Sequence, residues 1–131
     1  MIYEGELMGF IPTTDAERAR GFYEGVLGLR FVSDDPFALV VESRGTFIRI
    51  AKLKQHTPAP YTILGWRVKD VEQEVQTLHA RGVNFNRYPP MEQSDLGVWT
   101  APGGTRIAWF LDPDGNVLSL SQHPDDDFSA R

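Results

Sequence analysis

The sequence contains no cysteine and only three histidines, His56, His79 and His123. The first absence excludes disulfides, thiolate nucleophiles, iron–sulfur clusters and cysteine-ligated zinc. The second leaves any metal site to three imidazoles and the carboxylates. Basic residues are also in deficit, with 13 Lys and Arg against 18 Asp and Glu and a formal net charge of -5. Nucleic-acid modules carry a basic excess, so no nucleic-acid partner is expected. The acidic bias is mild and spread out, which argues for solubility and names no partner. No apolar run approaches the roughly 20 residues that span a bilayer, so no membrane partner is expected. The opening stretch Met1-Ile2-Tyr3-Glu4-Gly5-Glu6 is acidic and lacks the basic and apolar parts of a signal peptide. A cytoplasmic protein is the expectation. A length of 131 residues predicts a single domain, 1–131.

What is present is a clear pattern of elements. Thr14-Asp15-Ala16-Glu17 reads as a capping box, a hydroxyl at the N-cap and a carboxylate three residues on. Ala19, Phe22, Tyr23, Val26 and Leu27 follow at helical spacing, and Gly28 is a stop. A second helix opens at Asp70, with Val71, Val75 and Leu78 on one face and Gly82 beyond its end. Strand-like runs lie near 6–13, 29–34, 37–43, 46–53, 61–68, 84–88, 97–101, 105–111 and 117–122. The order reads β-α-β-β-β, then β-α-β-β-β. The segment Lys54-Gln55-His56-Thr57-Pro58-Ala59-Pro60 is a natural linker. This gives module one at about 6–53, a linker at 54–60, module two at about 61–122 and a solvated tail at 123–131. The halves echo each other: Gly28-Leu29-Arg30-Phe31 after helix one, Gly82-Val83-Asn84-Phe85 after helix two. A short internal duplication accounts for this. Pairing the halves would curl the sheets and put a cup between them.

Three stretches resemble a known superfamily. They are Thr13-Thr14-Asp15-Ala16-Glu17-Arg18-Ala19-Arg20-Gly21-Phe22-Tyr23-Glu24-Gly25-Val26-Leu27-Gly28-Leu29, Gly65-Trp66-Arg67-Val68-Lys69-Asp70-Val71 and Trp109-Phe110-Leu111-Asp112-Pro113-Asp114-Gly115-Asn116. Together they are similar to the vicinal oxygen chelate superfamily of glyoxalases, bleomycin-resistance proteins and extradiol dioxygenases. The resemblance spans about residues 6–122. It implies an α+β fold in which paired βαβββ modules form a curled, cup-shaped mixed sheet with helices outside, often in a homodimer. It implies no single reaction, because this fold hosts many. The Asp112–Asn116 stretch reads as a hairpin turn, since the longer acidic series of a calcium loop is missing. Phe22 and Tyr23 read as core between helix and sheet.

Metal-using members of that superfamily bind the ion through His, Gln or Glu at four inward strand positions. By the resemblance these positions fall on Met8, Arg49, Ile63 and Ser119. None is a normal ligand of a divalent ion, and Arg49 would repel one. The histidines do not help: His56 is in the linker, His79 on helix two and His123 in the tail, all read as surface. No metal and no cofactor are expected.

Strand alternation extends the inward set to Phe10, Phe47, Ala51, Gly65, Arg67, Val117 and Ser121. The opposite faces, including Ile11, Ile48, Ile50, Leu64, Trp66, Leu118 and Leu120, are apolar and suit packing under helices. The family pattern adds Ile107 and Trp109 to the inward set. Trp99 reads as pocket wall or dimer contact. Arg49 and Arg67 each have two readings, an anchor for a ligand anion or a member of an internal ion pair, for example with Glu42 or Asp95. Trp109 either stacks on a planar ligand or fills space. Ser119 and Ser121 either orient a ligand or make room. No Ser–His pair, cysteine or inward carboxylate pair is evident for catalysis. Gly103-Gly104-Thr105 reads as a hairpin turn, and loop 91–97 as long enough for a lid. The expected function is binding of a small aromatic or amphipathic molecule in a metal-free cup. The alternative is an enzyme of the same superfamily, a metal-dependent lyase or dioxygenase, or a cofactor-free isomerase or lyase.

Overall fold

The structure, a computed structural model, describes residues 1–124. The expectation for the acidic stretch 125–131 lies outside the described residues. The chain divides into two compact units, Met1–Pro58 and Ala59–Arg131. No helix among the described residues is long and apolar enough to cross a membrane.

The first unit holds β1 (Met8–Thr13), α1 (Ala16–Arg20), β2 (Arg30–Asp34), β3 (Ala38–Ser43) and β4 (Thr46–Lys52). The sheet order is β1-β4-β3-β2. β1 runs parallel to β4, and the remaining pairs are antiparallel. The helix is capped by Asp15, whose carboxylate accepts the Arg18 N–H at 3.0 Å. This corrects the expected cap at Thr14 by one residue. Asp15 is the residue with extended backbone, φ -148° and ψ 94°, and its short side chain reaches the free amide. Beyond Arg20 the helix widens to π geometry over Gly21–Val26, where the Leu27 N–H donates to the Phe22 carbonyl. Tyr23, 1% exposed, is sealed beneath it, with Phe22 edge-on at 5.2 Å. Ile11, Leu39, Val41, Ile48 and Ile50 form the buried helix-side layer.

The second unit holds β5 (Thr62–Arg67), α2 (Val71–Ala80), β6 (Trp99–Thr100), β7 (Arg106–Leu111) and β8 (Val117–Gln122), in sheet order β5-β8-β7-β6. Asp70 caps α2 by accepting the Gln73 N–H at 3.1 Å. The Gln122 side chain accepts the Val71 N–H at 2.9 Å, tying the helix start to the end of β8. Val71, Val75 and Leu78 are buried, as their spacing predicts. The expected run 84–88 is not a strand. It contributes one bridge, Phe85 opposite Phe110, and the run 97–101 shortens to two residues. The Asn86–Gly97 segment instead spends its polar groups on itself, leaving few for a ladder.

That internal bonding is dense. Gln93 Oε1 accepts the Tyr88 N–H, and Gln93 Nε2 donates to the carbonyls of Asn86 and Gly97. The Arg87 guanidinium donates to the Ser94 and Asp95 carbonyls, and Ser94 Oγ accepts the Leu96 and Val98 N–H groups. The Asp112–Asn116 turn is closed in the same way. Asp112, 5% exposed, accepts the N–H groups of Asp114 and Asn116 at 2.9 Å and the Asn116 side-chain amide at 2.8 Å.

Candidate functional site

Each sheet has a face turned away from its own helix, and the sequence-predicted site residues fall on these two faces. In the first unit Met8 lies opposite Phe47 and Phe10 opposite Arg49. Arg49 lies opposite Val40 on the other side. Met8, Phe10, Phe47 and Arg49 therefore share one face. Phe10 is 65% exposed and Met8 40%, while Arg49 is half-buried. Glu42, expected as a possible partner for Arg49, is engaged elsewhere. Its carboxylate lies 3.5 Å from Arg30 Nε and accepts the Gly45 N–H at 3.1 Å. Among the described residues Arg49 has no carboxylate within ion-pair distance. Its field is felt at the exposed Asp35. That carboxyl is held below its ordinary value first by N–H groups of Phe37 and Ala38, then by the charges of Arg49 and Lys52. A hollow of about 80 Å³ lies beside Met8 and Phe47.

In the second unit two rows cross the face. One runs Arg67, Ser121, Ile107, Trp99, and the next runs Gly65, Ser119, Trp109. The β5 and β8 side is thus polar, and the β7 and β6 side aromatic. Trp99 and Trp109 lie 6.2 Å apart at 32°, and Tyr88 meets Trp109 edge-on at 5.5 Å. Gln93 delivers two of these rings: it bonds the Tyr88 amide and bridges to Trp99. Gly65 is required by close approach, since a Cβ there would stand 2.6 Å from Ser119 Oγ. Ile63 departs from the expected pattern. A bulge between Thr62 and Leu64 takes it out of the ladder, so alternation no longer sets its face. Trp66 lies opposite Leu120, on the helix side as expected. Arg67 is exposed.

His123 was expected at the surface. It is half-buried, and its Nε2 stands 3.1 Å from Ser121 Oγ. A Ser–His pair is therefore present where none was evident in the sequence. The available signal was parity: Ser119, Ser121 and His123 continue one alternation past the strand end. Tyr88 and Gln93 gave no such signal, because a loop has no period. His79 Nδ1 lies 3.3 Å from the Val83 carbonyl, at the end of α2. Among the described residues no three His, Asp or Glu side chains gather closely enough to hold a metal ion.

Comparison with known proteins gives the architecture its relatives. The chain resembles a solved structure from Sphaerobacter thermophilus at 28% identity and TM-score 0.72, covering 94% of this chain and all of that one. That protein is described as a member of the glyoxalase/bleomycin resistance protein/dioxygenase superfamily. TnmS3, an antibiotic binding protein from Streptomyces, is 26% identical with TM-score 0.70, covering 95% and 99% of the two chains. A lactoylglutathione lyase from Agrobacterium tumefaciens matches at 15% identity and TM-score 0.70 over 91% and 93%, a likeness of fold. No curated protein matches the chain. A family model matches residues 6–120, which takes in the first βαβββ unit and the second up to the last two residues of β8. The chain belongs to the Glyoxalase/Bleomycin resistance protein/Dioxygenase superfamily.

Proposed function

We propose that this protein binds a small aromatic or amphipathic molecule and uses no catalytic metal. The observation that carries the reading is Arg49. It is half-buried beside Phe10 and Val40, and among the described residues it has no carboxylate of its own. A guanidinium in such a setting seeks an acceptor, and a ligand carboxylate or phosphate fits its two-pronged donor geometry. The metal side of the reading rests on chemistry. The positions that the resemblance gives to metal ligands are Met8, Arg49, Ile63 and Ser119, a set that offers a cation no hard anionic donor. The aromatic side rests on Trp99, Trp109 and Tyr88, a tilted pair of indoles with an edge-on phenol, suited to a planar ring. Similarity to an antibiotic binding protein at 26% identity supports binding over turnover. We also infer a homodimer, because Met8 and Phe10 on the edge strand β1, and Leu7 just before it, are exposed apolar side chains.

Two probes test the ligand class, 2-naphthoate and its neutral analogue 2-naphthamide. Arg49→Ala is expected to weaken 2-naphthoate about tenfold and leave 2-naphthamide unchanged. Equal loss for both would remove the anchor role. Metal analysis of gently purified protein is expected to find no stoichiometric Zn, Ni, Mn or Fe, and finding one would overturn the metal-free reading. Sedimentation is expected to give a dimer; a monomer would overturn that part.

A further inference from the structure

We propose that Ser121 and His123 form a second anion-recognition point on the face of the β5–β8 sheet. It selects aromatic acids over neutral aromatics, and it is switched by protonation of His123. The proposal rests on the aromatic-ligand reading above. Its geometry is the 3.1 Å contact between Ser121 Oγ and His123 Nε2, at one end of the face that carries Trp99 and Trp109.

The chemistry follows from what each group donates. An imidazolium has donors at both nitrogens and no acceptor. Protonated His123 therefore donates from Nε2 to Ser121 Oγ. The hydroxyl hydrogen is then turned outward, toward a ligand oxygen. In the neutral ring with Nε2 unprotonated, Ser121 donates to His123, and its hydrogen is withdrawn from the ligand. The protonated state thus offers a carboxylate an outward O–H and a nearby positive charge, and the neutral ring with Nε2 unprotonated offers neither.

The surroundings favour the anion. Arg67, on β5, lies opposite Ser121 in the β5–β8 ladder and adds a positive charge to the same face. Ile107, opposite Ser121 on β7, and Trp99 beyond it on β6 are uncharged. Tyr88, packed on Trp109, also borders the face. Arg106 and Glu72 pair with each other. They sit on the opposite side, because Arg106 faces Gln122, whose side chain holds the start of α2. Gly65 and Ser119, in the row beside that of Arg67 and Ser121, are small, so a ring resting on the Trp109 indole would project its acid group toward Ser121.

The test follows intrinsic tryptophan fluorescence. All three tryptophans, Trp66, Trp99 and Trp109, lie in the second unit, so quenching reports this sheet. The probes are 2-naphthoate and 2-naphthamide at about pH 5.5 and about pH 8, which bracket ordinary histidine titration while leaving a carboxylate ionised. Wild-type protein is expected to bind 2-naphthoate about tenfold tighter at the lower pH, with 2-naphthamide unchanged. His123→Gln keeps a hydrogen-bonding side chain that cannot titrate, and is expected to abolish the pH dependence for 2-naphthoate. Ser121→Ala is expected to remove the extra affinity for 2-naphthoate gained at the lower pH. A wild-type preference that ignores pH, or one that survives in His123→Gln, would overturn the proposal and leave the aromatic-binding reading standing. Absence of quenching by either probe would overturn both.

Discussion

The two units share a topology and differ in where they put bulk. The central row of the first face reads Phe10, Arg49, Val40. The corresponding row of the second reads Gly65, Ser119, Trp109. The large side chain sits on the first strand in one unit and on the third strand in the other. The charge sits in the middle of the first row and is replaced by a hydroxyl in the second. The outer edges differ too. In the first unit β2 follows the helix and pairs through four of its five residues, with a register shift at Val32. In the second, one bridge at Phe85 and the two residues of β6 share that edge, with a self-bonded loop between them. The lesson is that the ladders set the shared scaffold, while a few swaps on one face make its chemistry.

The hairpins between the last two strands of each unit differ as well, and this gives the largest expected effect. β3 and β4 are joined by Arg44 and Gly45, both at positive φ, 47° and 89°. β7 and β8 are joined by the Asp112–Asn116 turn, whose carboxylate holds three donors. Asp112→Ala removes the shared acceptor of these three donors, one of them the buried Asn116 amide, and is expected to cost about 3 kcal/mol in urea denaturation. A loss under about 1 kcal/mol would mean the turn is held by its backbone bonds alone.

A smaller effect tests the central row. Gly65→Ala forces its new Cβ against Ser119 Oγ and is expected to cost about 1–3 kcal/mol. Adding Ser119→Ala removes the clashing atom and is expected to recover most of that loss, a coupling that a double-mutant cycle measures. Smaller again is Arg44→Asn. It places the favoured Asn-Gly pair in the positive-φ turn of the first unit and is expected to add about 0.5 kcal/mol of stability.

The smallest expected effect concerns Asp35, on the loop between β2 and β3. Its carboxyl accepts the Phe37 and Ala38 N–H groups at 2.7 and 2.9 Å, which holds it below its ordinary 3.8. A carboxyl depressed in the folded state stabilises above its unfolded value, and that contribution is lost as pH falls through the folded value. Wild-type protein is therefore expected to lose slightly more stability than Asp35→Asn on acidification from about pH 5 to about pH 2. Identical acid sensitivity would show that the loop does not depend on these bonds.

Much of this was legible in the chain because it is local. Asp70, three residues before Gln73, caps α2 through neighbouring atoms, and the Asp112–Asn116 turn is closed by its own residues. Strand parity placed Met8 and Phe10 on one face, because a period of two needs no knowledge of the partner strand, while Arg49, on another strand, was assigned to that face by the resemblance. The misses have a common cause. The Ile63 bulge depends on how β5 meets β8, and the edge near Phe85 depends on which loop groups satisfy one another. His123 stood beyond an apparent strand end.

The sequence by itself determined the family, the two βαβββ units and the poverty in metal donors, since motif, period and composition are properties of neighbours along a chain. Tertiary structure alone decided that Glu42 is engaged by Arg30, leaving Arg49 without a carboxylate among the described residues, and that Gln93 gathers Tyr88 and Trp99 beside Trp109. It also decided that Ser121 and His123 meet. A hydrogen bond or ion pair acts over a few ångströms in space, and only packed strands and loops determine which side chains come that close.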